Sequence, residues 1–217
     1  MIEFTENGLA ARDPVLARLF EHEIAEAGTA IEAATCRIEA EGADERAPDR
    51  ARIAQLLPQV FAWARAQKPI QPLSSGVWNG SNWSPGSKDA IEIQRIQLAE
   101  SDVITFHNYD WPEAFEARVA QLRPYGRPLI CTEWMARSAG SNVDTVLPIA
   151  HREDVGMINW GFVQGAIQTY LPWDSWDRPY THKPPTIWFH DLMYPDGRPY
   201  REREAELFRS LSAKKTH

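Results

Sequence analysis

SDVITFHNYD (residues 101–110) and GRPLICTEWMAR (residues 126–137) are the stretches whose reading decides the fold. Each contains a short apolar run, DVITFH and PLICTE, rich in β-branched residues and too short for a helix, so each predicts a strand. Around them the spacing turns helical, over residues 90–99 (AIEIQRIQLA), 113–123 and 144–152. Two further strands are expected, over 72–78 (PLSSGVW) and 156–162 (GMINWGF). Four strands alternating with helices predict an α/β fold with a parallel sheet and helical crossovers. Short strands that are apolar throughout are expected to be buried on both faces.

Helices are also expected at the two flanks of this block. One spans residues 52–67, with Ile53, Leu56, Leu57, Val60, Phe61 and Ala64 on its apolar face, and one spans 202–211. Farther out, residues 13–37 are Ala/Glu-rich with helical apolar spacing, and 41–50 (EGADERAPDR) reads as a charged linker. Of the 217 residues, the first 50 carry 12 acidic and 5 basic side chains, whereas the rest carry 18 of each. The whole net charge of −7 therefore belongs to the N-terminal segment. All nine Trp fall between Trp63 and Trp188. Two parts follow: an acidic helical extension over 1–50 and a neutral, Trp-rich α/β body over 51–217.

Composition excludes several function classes. The neutral body has no basic stripe for a phosphate backbone, so no nucleic-acid partner is expected. No stretch approaches the ~20 apolar residues of a membrane span, and MIEFTENG lacks the basic and apolar regions of a signal peptide. A cytoplasmic protein with no membrane partner is expected. Cys36 and Cys131 alone offer neither a disulfide framework nor a CxxC site, and His107, His182 and His190 lack ligand spacing. No metal or organic cofactor is expected, and the WFHD run at 188–191 is expected to pack the last loop.

The chemistry gathers where the strands end. They finish in Trp78-Asn79, His107-Asn108-Tyr109, Thr132-Glu133-Trp134 and Trp160-Gly161, a set that a parallel sheet brings to its C-terminal edge. Glu133 is the sharpest candidate, because a carboxylate beside a buried strand must be paired or hydrogen-bonded. An ion pair with Arg127 or Arg137 is one reading. The other is a nucleophile oriented by His107 and Tyr109, with Trp134 and Trp160 as sugar-stacking faces. Asn79, Asn108, Gln164 and Gln168 then supply polar contacts to hydroxyls, and Trp78 and Trp173 further aromatic surface.

At these residues the chain resembles the retaining (β/α)8-barrel glycoside hydrolases of the clan that contains the family 5 cellulases and mannanases. It is most similar to bacterial proteins often named cellulase or 1,4-beta-xylanase. The matching stretches are VFAWARAQKPIQPLSSGVW, SDVITFHNYD, GRPLICTEWMAR, VGMINWGFVQGAIQTYLPWDSW and WFHDLMYPDGRPY, covering about residues 53–208. The resemblance implies the C-terminal half of a TIM barrel of ~250 residues, its four strands being the fifth to the eighth. It implies Glu133 as nucleophile, His107 and Tyr109 as its neighbours, and Trp160 as the floor of the sugar subsite.

One departure is chemical: the clan's acid/base lies in an Asn-Glu-Pro context, and the chain contains no Asn-Glu-Pro. Retaining hydrolysis uses two carboxyl groups about 5 Å apart, and Glu6 in IEFTENG is the only substitute that the sequence suggests. The expectation is a retaining hydrolase of β-linked glycans from a truncated barrel, impaired by the missing acid. The alternative is an inactive carbohydrate-binding pseudoenzyme or a half-barrel assembly protein. An open sheet needs a cover, either the N-terminal helices, a second half-barrel or a second copy of the chain.

Overall fold

Three strands, β1 (Ile104–His107), β2 (Leu129–Glu133) and β3 (Val155–Met157), form a parallel sheet in the order β1-β2-β3. The structure is a computed structural model that describes residues 47–213. Its helices are α1 (Ala47–Ala66), α2 (Glu92–Glu100), α3 (Pro112–Leu122), α4 (Val143–Arg152) and α5 (Glu202–Ala213). The helices expected over 13–37, together with Glu6 and Cys36, lie outside the described residues. No described helix is long and apolar enough to cross a membrane.

The chain divides into two units, Met1–Leu56 and Leu57–His217, with the boundary inside α1. The described part of the first is the opening of α1, which begins at Ala47, within the run read as a linker. Pro48 is compatible with that start, because the N–H that proline lacks has no intrahelical partner in a first turn.

In the second unit α3 and α4 are the crossovers, and their apolar faces make the core. Phe115, Val119 and Leu122 of α3 and Val143, Val146, Leu147 and Ala150 of α4 pack with Ile104, Phe106, Leu129, Cys131 and Val155 of the sheet. Burial of each large apolar side chain in such a cluster stabilises the fold by about 1.5–3 kcal/mol. Among the described residues one face of the sheet is covered in this way: along β1 and β2 buried residues alternate with the half-buried Thr105, His107 and Ile130. The expectation of strands buried on both faces is therefore corrected, and the half-buried face is the one that carries His107.

Two of the four expected strands are shorter than the sequence suggests. Over 72–78 a single parallel bridge remains, Val77 to Phe106, where the Val77 N–H donates to the Thr105 carbonyl and the His107 N–H to that of Val77. Elsewhere in the segment the Leu73 carbonyl accepts the Asp102 N–H at 2.8 Å, and the other bonds go to side chains instead of to a ladder. The Leu73 N–H goes to the Asp102 carboxylate at 2.9 Å, the Ser75 N–H to Ser101 Oγ at 3.0 Å, and the Gly76 carbonyl accepts from the Gln97 amide at 2.6 Å. The last strand stops at Met157; Ile158 still donates to the Cys131 carbonyl, but Asn159 bonds the Gly161 and His190 carbonyls and Gly161 turns the chain with φ +100°.

One buried ion pair fastens the C-terminal region to the sheet. The Arg137 guanidinium, in a 3-10 turn (Arg137–Ala139), meets the Glu204 carboxylate of α5 with Nε to Oε1 at 2.9 Å and Nη2 to Oε2 at 2.5 Å. Nη1 also donates to the carbonyls of Trp188 and Asp191, and the guanidinium lies 4.9 Å from the Tyr200 ring centroid. The two side chains are 1% and 3% exposed. Removal of one partner leaves an uncompensated buried charge, so Glu204→Ala is expected to cost about 3–5 kcal/mol in urea unfolding, whereas Arg137→Met combined with Glu204→Leu should recover only part of that loss, because the Trp188 and Asp191 carbonyls lose their donor. Equal destabilisation of the single and double variants would show that the pair's charges are not what the fold depends on.

Candidate active site

Strict alternation along β2 would put Glu133 on the covered face with Leu129 and Cys131, because side chains on one face recur every second residue. The pairing with β1 avoids that outcome. Ile104, Thr105 and Phe106 face Leu129, Ile130 and Cys131 in turn, and then His107 faces Glu133, so that Thr132 is an extra residue in a bulge. The Thr132 hydroxyl caps the Phe106 carbonyl at 3.3 Å, and the Asn108 N–H donates to the Glu133 carbonyl at 3.0 Å. The bulge changes the parity of the strand and moves the Glu133 carboxylate to the half-buried face beside His107.

There Oε2 of Glu133 receives two contacts, Tyr109 Oη–H at 3.0 Å and His107 Nδ1 at 3.2 Å. Oε1 receives no hydrogen bond from any described residue. The carboxylate is 17% exposed and its neighbouring imidazole 31%. The ion pair expected as the alternative does not form: Arg137 is held by Glu204, and Arg127 donates to the carbonyls of Leu98, Ala99 and Ser101.

Burial sets the electrostatics. Loss of solvent raises the Glu133 pKa above the usual carboxylate range, and the Tyr109 hydrogen bond pulls it back in part. Burial lowers that of His107, which favours the neutral imidazole. Burial, reinforced by the Glu133 charge, raises the Tyr109 phenol far out of its ordinary range and keeps it a proton donor.

A ring cluster supports the tyrosine. Tyr109 meets Trp173 edge-on at 5.2 Å and 90°, and His190 at 5.5 Å. His190, within the buried WFHD run, binds the Met135 carbonyl through Nδ1 at 2.6 Å. Met135 has φ +65°, a strained conformation for a side-chain-bearing residue, and Ser141 Oγ accepts its N–H at 3.2 Å. That turn lies two residues after Glu133, and Trp134 between them is in the core at 1% exposure. Trp134 therefore has no free face for a sugar, which corrects its expected stacking role.

The other predicted residues divide. Asn108 is buried and closes a turn with Asp110, accepting the Asp110 N–H at 3.2 Å and donating to its carboxylate at 3.2 Å, so its amide is not presented to a ligand. Trp78 and Trp160 are exposed at the C-terminal edge, and Gln168 is exposed in a turn with φ +61°. The Asn79 carbonyl accepts from Trp83 Nε1 and the Gln94 amide. No hydrogen bond or ring contact among the described residues joins Trp78, Asn79, Trp160 or Gln168 to Glu133. The structure brings Glu133, His107, Tyr109 and Trp173 together and adds His190, which the sequence reading assigned to loop packing. No group of three or more His, Cys, Asp or Glu among the described residues is arranged to hold a metal ion.

No protein-family model matches the chain, and no curated protein matches it. Among solved structures, one described as PfGH50B aligns with a TM-score of 0.42 and 15% identity, over 78% of this chain and 25% of its own. An exo-beta-agarase aligns with a TM-score of 0.43 and 12% identity, over 76% of this chain and 22% of its own. The chain thus spans about a quarter of the length of each of these structures.

The raised Glu133 pKa has a consequence for stability. The folded state holds the proton more tightly than the unfolded chain, so its contribution is full below the ordinary carboxylate pKa and is lost as pH rises through the folded value. Glu133→Gln is therefore expected to raise Tm at neutral pH and to leave it nearly unchanged in acid. Tyr109→Phe removes the bond that lowers the pKa, so the Glu133 carboxyl resonance in NMR should titrate at higher pH in that variant. A titration moved to lower pH would contradict the assigned role of Tyr109.

Proposed function

We propose that the chain is a glycoside hydrolase acting on β-linked glycans by a retaining mechanism, with Glu133 as its nucleophile. The observation that carries this reading is the carboxylate itself: one oxygen accepts the Tyr109 hydroxyl and lies 3.2 Å from His107 Nδ1, the other has no hydrogen bond from a described residue, and the group sits on the half-buried face at the C-terminal edge of a parallel sheet. Oε1 attacks the anomeric carbon, the bond from that carbon to the leaving oxygen breaks, and the leaving group departs with the electron pair. The Tyr109 hydrogen bond keeps Oε2 from rotating into the attack path, with His107 beside it. Trp173 and Trp160 offer indole faces to the pyranose ring. In this reading the strands are the fifth to the eighth of a barrel, with His107 and Tyr109 after the sixth, Glu133 at the end of the seventh, and Trp160 as the floor of the sugar subsite.

A leaving group that needs a proton requires a second acid, and a general acid contributes typically 10²–10⁴-fold. The lack of an Asn-Glu-Pro motif in the sequence favours a second reading, a protein that binds the glycan and turns it over slowly or not at all. An activated leaving group separates the two, because it departs without protonation.

The test is intact-protein mass spectrometry after incubation with activated 2-fluoro glycosides of the gluco, manno, xylo and galacto series. A covalent glycosyl adduct on Glu133 of the wild type, missing in Glu133→Gln, is the expected result. A folded wild type that binds oligosaccharides and forms no adduct would replace the hydrolase by the binding protein, and one that does neither would end both readings.

A further inference from the structure

The aromatic ring beside Tyr109 belongs to a short element that has a second, unexplained tryptophan. Residues Trp173–Trp176 form a 3-10 turn, WDSW. Three residues complete a turn of this helix, so side chains at i and i+3 leave the same side, separated by roughly 6 Å along the axis. Trp173 and Trp176 stand in that relation.

Their surroundings differ. Trp173 is anchored, edge-on to Phe189 at 4.8 Å and to Tyr109 at 5.2 Å, and is 41% exposed. Trp176 is 84% exposed and takes part in no ring contact among the described residues. The turn between them is fixed: Ser175 N–H donates to the Pro172 carbonyl at 2.9 Å, Arg178 N–H to that of Asp174 at 2.8 Å, and Tyr180 Oη–H to the Asp174 carboxylate at 3.3 Å. A bulky indole held out in water on a braced turn adds nothing to the core. A rigid amphipathic ring of that kind is a binding surface with little conformational entropy to lose.

We propose that Trp173 and Trp176 are two separate steps of one aromatic platform leading away from Glu133, and that Trp176 is a distal subsite for an extended glycan chain. Tyr109 links the catalytic carboxylate to Trp173, and the eclipsed geometry of the turn carries the same aromatic side one step outward to Trp176. The ligand is then an oligo- or polysaccharide with several consecutive rings, bound along the turn with the exposed Asp174 and Asp177 at its margin. Mono- and disaccharides fill the part near Glu133 and leave Trp176 in solvent. This inference rests on the carbohydrate reading of the Glu133 site.

Calorimetric titration of the Glu133→Gln chain with cello-, manno-, xylo- and agaro-oligosaccharides of two, four and six rings tests it, since that variant cannot consume its ligand. For the class that binds, Kd is expected to fall between two and four or six rings. The further Trp176→Ala substitution should remove about tenfold of that gain, and Trp176→Phe should restore part of it. The exposed position of Trp176 leaves the fold intact, which circular dichroism checks. A chain-length gain of equal size in Trp176→Ala would overturn the subsite while leaving the carbohydrate reading in place. Failure of every oligosaccharide to bind, with no adduct from the 2-fluoro glycosides, would overturn both.

Discussion

The candidate site depends on a single extra residue in one strand. A β-strand assigns its side chains to faces by parity, and a carboxylate whose parity puts it among Phe106, Leu129 and Cys131 would be desolvated without a partner. The bulge at Thr132 changes that assignment once, at the last position where it can still matter. Everything polar in the site follows from it: the proximity to His107, the reach of Tyr109, and the need for the strained turn at Met135 that takes the chain away again.

The second constraint lies behind the first. The turn that follows Glu133 is kept by His190 and Ser141, and the loop bearing His190 is kept by Arg137 through the carbonyls of Trp188 and Asp191. Arg137 in turn requires Glu204 of α5. A helix from the end of the chain thus controls the orientation of a carboxylate at its middle through one buried charge and a series of backbone oxygens. Chains of such contacts are cooperative because each bond is made in a low-dielectric setting that penalises its loss.

The fold was legible where apolar runs were pure. The runs ITFH and LICTE are strands at nearly the expected bounds, and the helical spacing between them marks α3 and α4 within a residue or two. The sequence misled where polar side chains compete for the backbone: Ser101, Asp102 and Gln97 take the hydrogen bonds that PLSSGVW would need for a ladder, and no hydropathy pattern records that competition. At the site, Glu133, His107 and Tyr109 could be read because strand ends in a parallel sheet share an edge. Asn108 and Trp134 could not, since each sits beside a catalytic candidate in sequence and its direction is decided by a turn. The WFHD run was read correctly as packing, yet its histidine supports the site through contacts with residues 55 and 81 positions away, for which one sequence has no local signal.

Cys131 shares the covered face of β2 with Leu129, two residues before the carboxylate, and its thiol donates to the Glu133 carbonyl at 3.2 Å. Burial raises its pKa well above that of a free thiol, so the reactive thiolate is scarce while helices and sheet stay together. Alkylation at this position is then a clock rather than a modification: it advances only when the covered face opens to solvent, and its rate counts those openings. Nature has placed, two residues along the strand from the candidate nucleophile, a chemical reporter on how often the scaffold beneath it breathes.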